Sequence, residues 1–365
     1  MLREIERALI IGAILGLACS DHRPDKVILF TGSLSGYLEA CTCPGTPVGG
    51  LNTVAHLIKQ YRKTHPGALA VDAGLFTPDT LDTLNAFYMA RAMQLVGYDV
   101  VAPGPRDENP AYLALWKHLP VLTRERPCVV VNGVVFARPD CEELPEAMYT
   151  VVLSQNEPKD DSACARRLEP DAIINARPGP KTQRMGKTLV IHPVPRGMAL
   201  GVLRLSPSGA SVEFVPVEKT TPSDPDVDFV LGEYSRAFRA HLMSTGPNLS
   251  FKGPGYCRFC HQEEYSAWKK SAHARAFETL LEGDEDDREN PWCLSCHTTG
   301  YGQGGFENNE TTPHLAGVGC ESCHRGGHCP DQAPTTSDLK ECLRCHTPEQ
   351  SPDFNEKEYW NEIRH

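Results

Sequence analysis

Between Lys26 and Pro222 the apolar residues come in short runs whose period switches back and forth between two values. Val27-Ile28-Leu29-Phe30, Ala68-Leu69-Ala70-Val71 and Asp99-Val100-Val101 are continuous runs of strand length. Leu51, Val54, Leu57, Ile58 and Tyr61 recur at steps of three and four, which predicts an amphipathic helix over 51–61. Leu81 to Val96 predicts a second helix. Further runs at 128–131, 172–174, 189–191 and 200–203 predict a more strand-rich return. The alternation describes an α/β layered domain over 26–222.

The pattern changes between Thr220 and Pro225, where two prolines flank Ser223-Asp224. Phe229, Leu231, Tyr234, Phe238 and Leu242 then predict a linker helix within 223–250, and Gly246-Pro247 and Gly253-Pro254-Gly255 punctuate its end. From 251 to 365 aliphatic residues are sparse, and Gly, Glu, Asp, Asn and Thr fill the spaces. Such a segment cannot bury a self-sufficient apolar core. At the other end of the chain, Arg3 and Arg7 precede an apolar run, Ala8 to Ala18, that stops at Cys19. The run is short for a bilayer and has the proportions of a signal-peptide core, and no second segment is long enough to cross. Leu15-Gly16-Leu17-Ala18-Cys19 resembles a bacterial lipobox, with Gly16 where Leu is commonest. Residues 1–19 are therefore expected to be a signal peptide with Cys19 lipidated, ordinary cleavage or a retained anchor being the alternatives.

Charge narrows the partners. Lys plus Arg number 36 against 47 Asp plus Glu, a net charge of −11. Nucleic-acid binding rests on cations neutralising phosphates, so it is not expected. The acidic stretches 157–161 and 282–287 read as solvated loops, the second also as a docking surface for a basic redox partner. His22, His56, His65, His118 and His192 have no ligand-like spacing and read as surface or structural histidines.

Fifteen cysteines carry most of the chemistry. Eight lie in four copies of one pattern: Cys257-Arg258-Phe259-Cys260-His261, Cys293-Leu294-Ser295-Cys296-His297, Cys320-Glu321-Ser322-Cys323-His324 and Cys342-Leu343-Arg344-Cys345-His346. Cys-x-x-Cys-His is the attachment pattern of a c-type haem. Its two thiols bond to the porphyrin and the adjoining His serves as proximal iron ligand. A single copy would also suit a zinc half-site or a redox dithiol. Four copies, each with the His, do not, because zinc spacing does not require that residue. Apart from these eight and Cys19, Cys41, Cys43, Cys128, Cys141, Cys164 and Cys329 remain. Their even number suits disulfides in an oxidising compartment, with Cys41 and Cys43 bonded to two of Cys128, Cys141 and Cys164, or else a redox or metal-binding Cys-x-Cys.

The segment from Gly253 onward resembles the tetrahaem cytochrome c-554 family. The resemblance rests on Cys260-His261, Trp268 with Ser271-Ala272-His273-Ala274, Cys296-His297-Thr298-Thr299-Gly300, Gly317 to His324, Gly327-His328, Cys345-His346 and the closing Trp360 to His365. It implies a mainly α, loop-rich multihaem cytochrome c domain over 251–365 with distal imidazoles from His273, His328 and His365. His314 is the remaining candidate, with His241 in reserve. The resemblance also implies that one iron can stay five-coordinate. Trp360 and Ile363, three apart, can share a helical face that turns the tail, and His365 with it, onto a porphyrin.

The first domain resembles the metallophosphoesterase and 5′-nucleotidase family through Leu29 to Glu39, Gly49-Gly50-Leu51, Val71 to Phe76 and Gly97 to Glu108. Its departures matter more. The family's Asp-x-His pair falls on Ser33 and Ser35, its bridging Asp on Leu75, its Gly-Asn-His-Glu on Gly104-Pro105-Arg106-Asp107, and its late Gly-His-x-His on Asn175-Ala176-Arg177-Pro178. Two-metal hydrolysis needs carboxylates and imidazoles at such places. The fold is implied without the phosphatase chemistry.

The sequence thus describes an exported electron carrier, held at a membrane only by its N-terminus, exchanging electrons with redox proteins or quinol-linked donors and acceptors. Its rivals are an oxidoreductase acting on a small nitrogen or sulfur compound at an open haem, and a phosphohydrolase with an electron-transfer appendage. A pyridine haemochrome assay of the purified protein is expected to return four covalent haems per chain, and a lower count with all eight cysteines intact would refute the attachment scheme.

Overall fold

The computed structural model describes residues 23–39, 48–283, 285–324, 339–347, 350–351 and 353–364. The first half is built on two sheets. In one, β1 (Lys26–Thr31), β2 (Leu69–Asp72) and β3 (Val100–Val101) run parallel, linked through α1 (Leu51–Thr64) and α2 (Thr83–Val96). On the other edge β10 (Ala199–Ser206) pairs antiparallel with β1, and β11 (Gly209–Pro216) with β10, giving the order β11-β10-β1-β2-β3. The second sheet has the order β4-β5-β6-β7-β9-β8, from β4 (Cys128–Val131), β5 (Val134–Ala137), β6 (Tyr149–Ser154), β7 (Ala172–Asn175), β8 (Thr182–Met185) and β9 (Thr188–Ile191).

Side-chain alternation sets the layers. Ile28 and Phe30 of β1 point into a core shared with Val151 and Leu153 of β6, so the two sheets pack face to face. Leu29 points the other way, into a core with α1 and α2. Val152 points away from the sheet interface too, toward Cys164 and Ala165 of α3 (Pro158–Leu168). The result is helices outside two central sheets, an α/β layered arrangement. Phe30 lies against Gly201, its cross-strand partner, and leaves no room there for a side chain.

The stretch 157–161 corrects the expectation of a solvated loop. It opens α3, and Asp161 is only 1% exposed, accepting from Ser154 Oγ and Asn175 Nδ2 at 2.6 Å each. The stretch 282–287 is likewise not wholly solvated, since Asp287 is buried. His192 is structural: buried, with Nδ1 2.7 Å from the Arg177 carbonyl.

The helix expected within 223–250 is α4 (Pro225–Thr245). Asp224 caps it, accepting from Val227 N, and Asp226 and Asp228 suit the positive end of its dipole. Val227, Val230 and Tyr234 bury themselves in the core of α1 and α2, and Asn85 Nδ2 donates to the Tyr234 hydroxyl at 3.0 Å. One turn on, Phe238 stacks on Trp292 with ring centres 3.6 Å apart and planes at 9°. That stack carries α4 into the second half, which contains helices and turns around one small cluster, Phe277, Leu280, Leu294, Tyr301, Phe306 and Leu315. Among the described residues no helix is long and apolar enough to cross a membrane.

Asp72 ends β2 in full burial, accepting from Thr31 Oγ1 at 2.6 Å and Gly74 N at 2.8 Å. Burial pushes its carboxyl up to about 7, against the pull of those two hydrogen bonds. Below about pH 4 the group is protonated folded or unfolded. Between about 4 and 7 the folded state keeps a proton that the unfolded chain releases, so stability falls as pH rises through this window. Asp107 and Asp161 are shifted in the same direction, also by burial. Asp72→Asn should therefore gain on the wild type by an amount that grows from pH 4 to 7, on the order of a few kcal/mol. Denaturant titrations across that range check it; a constant difference would contradict the buried-carboxyl account.

Candidate functional site

Each Cys-x-x-Cys-His segment is wound as one helical turn, which explains its spacing. The His261 amide reaches back to the Cys257 carbonyl at 2.9 Å, that of His324 to Cys320 at 2.8 Å and that of His346 to Cys342 at 2.9 Å. The second segment is the end of a longer helix, α8 (Pro291–His297), capped by Asn290. One turn puts both thiols and the imidazole within reach of a single flat partner.

The segments come together in two groups. Cys257, closing α5 (Pro254–Cys257), touches Cys320, the start of α9 (Cys320–Cys323), and burial followed by that contact pushes the Cys320 thiol up to about 12. Glu321 ties the same two segments, its buried carboxylate accepting from Gly253 N at 2.7 Å and Lys252 N at 3.0 Å. Sequence reasoning passed over Glu321 because it occupies a variable place within the motif. In the second group, Cys345 touches Cys296 and is raised first by that contact, then by burial and by Cys323 and Cys342. Cys293, Cys296, His297, Cys323, Cys342, Cys345 and His346 open on one cavity of about 1470 Å³. The first segment is the exposed one: Cys260 and His261 face solvent and Phe259 is 76% exposed.

The imidazoles are oriented. His297 Nδ1 donates to the Ala276 carbonyl at 2.7 Å, at the start of α7 (Ala276–Glu282), which leaves Nε2 and its lone pair pointing elsewhere. His346, beyond α10 (Leu339–Cys342), has Nδ1 3.1 Å from Ser351 Oγ, with Phe354 stacked on its ring at 4.6 Å and Tyr359 edge-on at 5.5 Å. His273 comes from the turn after α6 (Gln262–Trp268), whose Trp268 indole donates to the Val318 carbonyl, while Val318 N donates back to the His273 carbonyl. The His273 and His346 ring centres are 6.1 Å apart. Burial lowers the basicity of both, with His346 adding to the effect on His273. His314 lies elsewhere, exposed and beside Gly253 at the first segment. Trp360 and Ile363 of α11 (Glu356–Ile363) both line the cavity. His328, His365, Cys329 and the N-terminal candidates Cys19, Cys41 and Cys43 lie outside the described residues, while Cys128, Cys141 and Cys164 are free thiols.

Across the cavity the wall belongs to the first domain, through Ser35, Tyr37, Asp79 and Asp82. These border the positions where the family's metal ligands would fall, and the fold does bring those positions together. Ser33, Ser35 and Leu75 all hold left-handed backbone, at φ 55°, 51° and 59°. Arg106 Nη2 donates to the Leu75 carbonyl and Ser35 Oγ at 3.1 and 3.2 Å, and its guanidinium pairs with Asp79. Gln155 Nε2 donates to the Ala73 and Ala102 carbonyls. Asp107 accepts from Leu75 N, Gly104 N, Thr77 N and Thr77 Oγ1 at 2.7–2.9 Å. A guanidinium, an amide and hydrogen-bonded loops occupy this space.

The C-terminal region is a c-type cytochrome with covalently held haem. Residues 256–325 match the family model described as cytochrome c554 and c-prime. The cytochrome c-554 of Nitrosomonas europaea is 36% identical over 98 residues, which are 23% of this chain and 42% of that protein. The chain thus spans about two fifths of that relative's length. Over the first domain the chain is similar in structure to a 5′-nucleotidase precursor from Thermus thermophilus, at 18% identity and a TM-score of 0.49, covering 63% of this chain and 62% of that one. It is also similar to the calcineurin-like phosphoesterase YfkN from Bacillus subtilis, at 14% identity and a TM-score of 0.46, covering 58% and 97%.

Proposed function

We propose that the protein is an exported tetrahaem electron carrier whose first domain is a catalytically silent phosphoesterase-like body. The observation that carries this reading is the pairing of His273 with His346. Their ring centres lie 6.1 Å apart, a separation at which both imidazoles could serve one haem iron between them. Lowered basicity keeps both imidazoles neutral near pH 7, the form that ligates.

In this reading Cys257 and Cys260, Cys293 and Cys296, Cys320 and Cys323, and Cys342 and Cys345 hold four haems, with His261, His297, His324 and His346 as proximal ligands. His273 would join His346 in holding the fourth haem, while His328, His365 and His314 are the distal candidates for the others. The haems supply one-electron chemistry when bound. Ala276 fixes the ring of His297 and Ser351 that of His346. Haem attachment of this kind belongs outside the cytoplasm in bacteria, which agrees with a signal peptide and lipidation at Cys19. Redox proteins or quinol-linked donors and acceptors are the partners proposed.

Replacing His273 by Ala should leave the haem count unchanged and convert one haem from low-spin to high-spin, with a shifted potential and new binding of cyanide or nitric oxide. An unchanged oxidised spectrum would sink the His273–His346 pairing. Ligand binding by the unmodified protein would instead favour the rival, an oxidoreductase with an open haem.

The silent first domain is supported by Arg106 and Gln155, whose donors fill the space two cations would need. Assays with manganese or zinc on nucleotide and phosphodiester substrates are expected to stay at background. Metal-stimulated hydrolysis would overturn this part of the reading.

A further inference from the structure

The β4–β5 hairpin turns at Asn132-Gly133, both in left-handed conformation, and pairs Cys128 with Ala137. The ladder runs one step further, Arg138 N donating to the Pro127 carbonyl at 2.7 Å, before the chain folds back with Cys141 N on the Arg138 carbonyl. Arg167 of α3 holds that fold, donating to the Cys141 and Pro139 carbonyls. Two thiols meet as a result. Cys141 Sγ is 3.2 Å and Cys128 Sγ 3.9 Å from the same acceptor, the Glu143 carbonyl, and the two sulfurs are in contact with one another. Cys141 is buried and Cys128 half-exposed. Cys164 packs into the same apolar cluster from α3, in surroundings set by burial, Arg167 and Asp161.

We infer that Cys128 and Cys141 form a disulfide in the mature protein, stapling the edge strand β4 to the loop that follows β5. The inference rests on the reading of the chain as exported, since the oxidant is a disulfide-bearing carrier protein of an oxidising compartment. Cys128, the more accessible sulfur, attacks the carrier's disulfide and forms a mixed disulfide, releasing the first carrier thiol. Cys141 then displaces the second. Two thiol protons and two electrons pass to the carrier, which leaves as a dithiol, and one Sγ–Sγ bond remains. The staple restrains an edge strand, the part of a sheet most open to pairing with other chains. It also separates these two cysteines from the eight that must stay reduced for haem.

Purified haem-loaded protein should be denatured in an alkylating agent without reductant and its peptides mapped, with haem counted on the same sample. The expected result is one cross-link, Cys128 to Cys141, with Cys164 alkylated. Alkylation of both Cys128 and Cys141, or a bond from either to Cys41, Cys43 or Cys164, in a fully haem-loaded sample would overturn the pairing while leaving the electron-carrier reading intact. Loss of haem would instead count against that reading. A Cys128→Ser, Cys141→Ser double variant should melt roughly 5–10 °C lower. Reductant should lower the wild type to the same midpoint and leave the variant unmoved; equal melting of both in the absence of reductant would also overturn the staple.

Discussion

Covalent attachment is the constraint on which the second half depends. Among the described residues its buried apolar core is one cluster of six, while Tyr256, Phe259, Trp292, Leu343 and Trp360 remain substantially exposed. Helices such as α5, α9 and α10 span four residues each, far below the length at which an isolated helix is stable. A covalently held haem, bonded through two cysteines and an imidazole, is a group that can fix a turn this short from outside. The hydrogen bonds of Glu321, Trp268 and His297 orient the segments around it.

The first half has an apolar core of its own. Its two sheets share an apolar interface, and each outer face has its own helices. At the rim, though, it keeps an arrangement that does not make it more stable. Left-handed backbone at Ser33, Ser35 and Leu75 costs roughly 1 kcal/mol or more at each position. Asp107 offsets that cost with four hydrogen bonds into the same loops. Arg106 adds a positive charge to the same loops, donating to Ser35 Oγ and the Leu75 carbonyl.

Much of this was legible in the chain, and the failures have physical causes. Continuous apolar runs located β1, β2, β7 and β9, and three-and-four spacing located α1, α2 and α4. The runs Val134–Ala137 and Tyr149–Ser154 were passed over although both are apolar, because loops on either side offered no helix to pair them with. Helix α3 was missed because Lys159, Asp160, Asp161, Arg166 and Arg167 make it polar, and a buried Asp161 looks like a solvated one until Ser154 and Asn175 are placed beside it. The four Cys-x-x-Cys-His segments declared themselves by spacing alone. The meeting of His273 with His346 had no local signal, since it is made by the turn after Trp268 and by the backbone bond to Val318. Contact between Cys128 and Cys141 likewise exists only once a hairpin has folded.

Helix α4 gives the two halves a shared mechanical fate. Its first three turns belong to the core of the α/β body, and its fourth lays Phe238 flat on Trp292, the residue immediately before Cys293. The second attachment helix is therefore aligned by the body in front of it. A cut after α4 would bare Phe238 on the first fragment and Trp292 on the second, leaving an aromatic patch on each. The front domain is in effect a foundation: through this stack it sets the angle at which the second attachment helix leaves its surface.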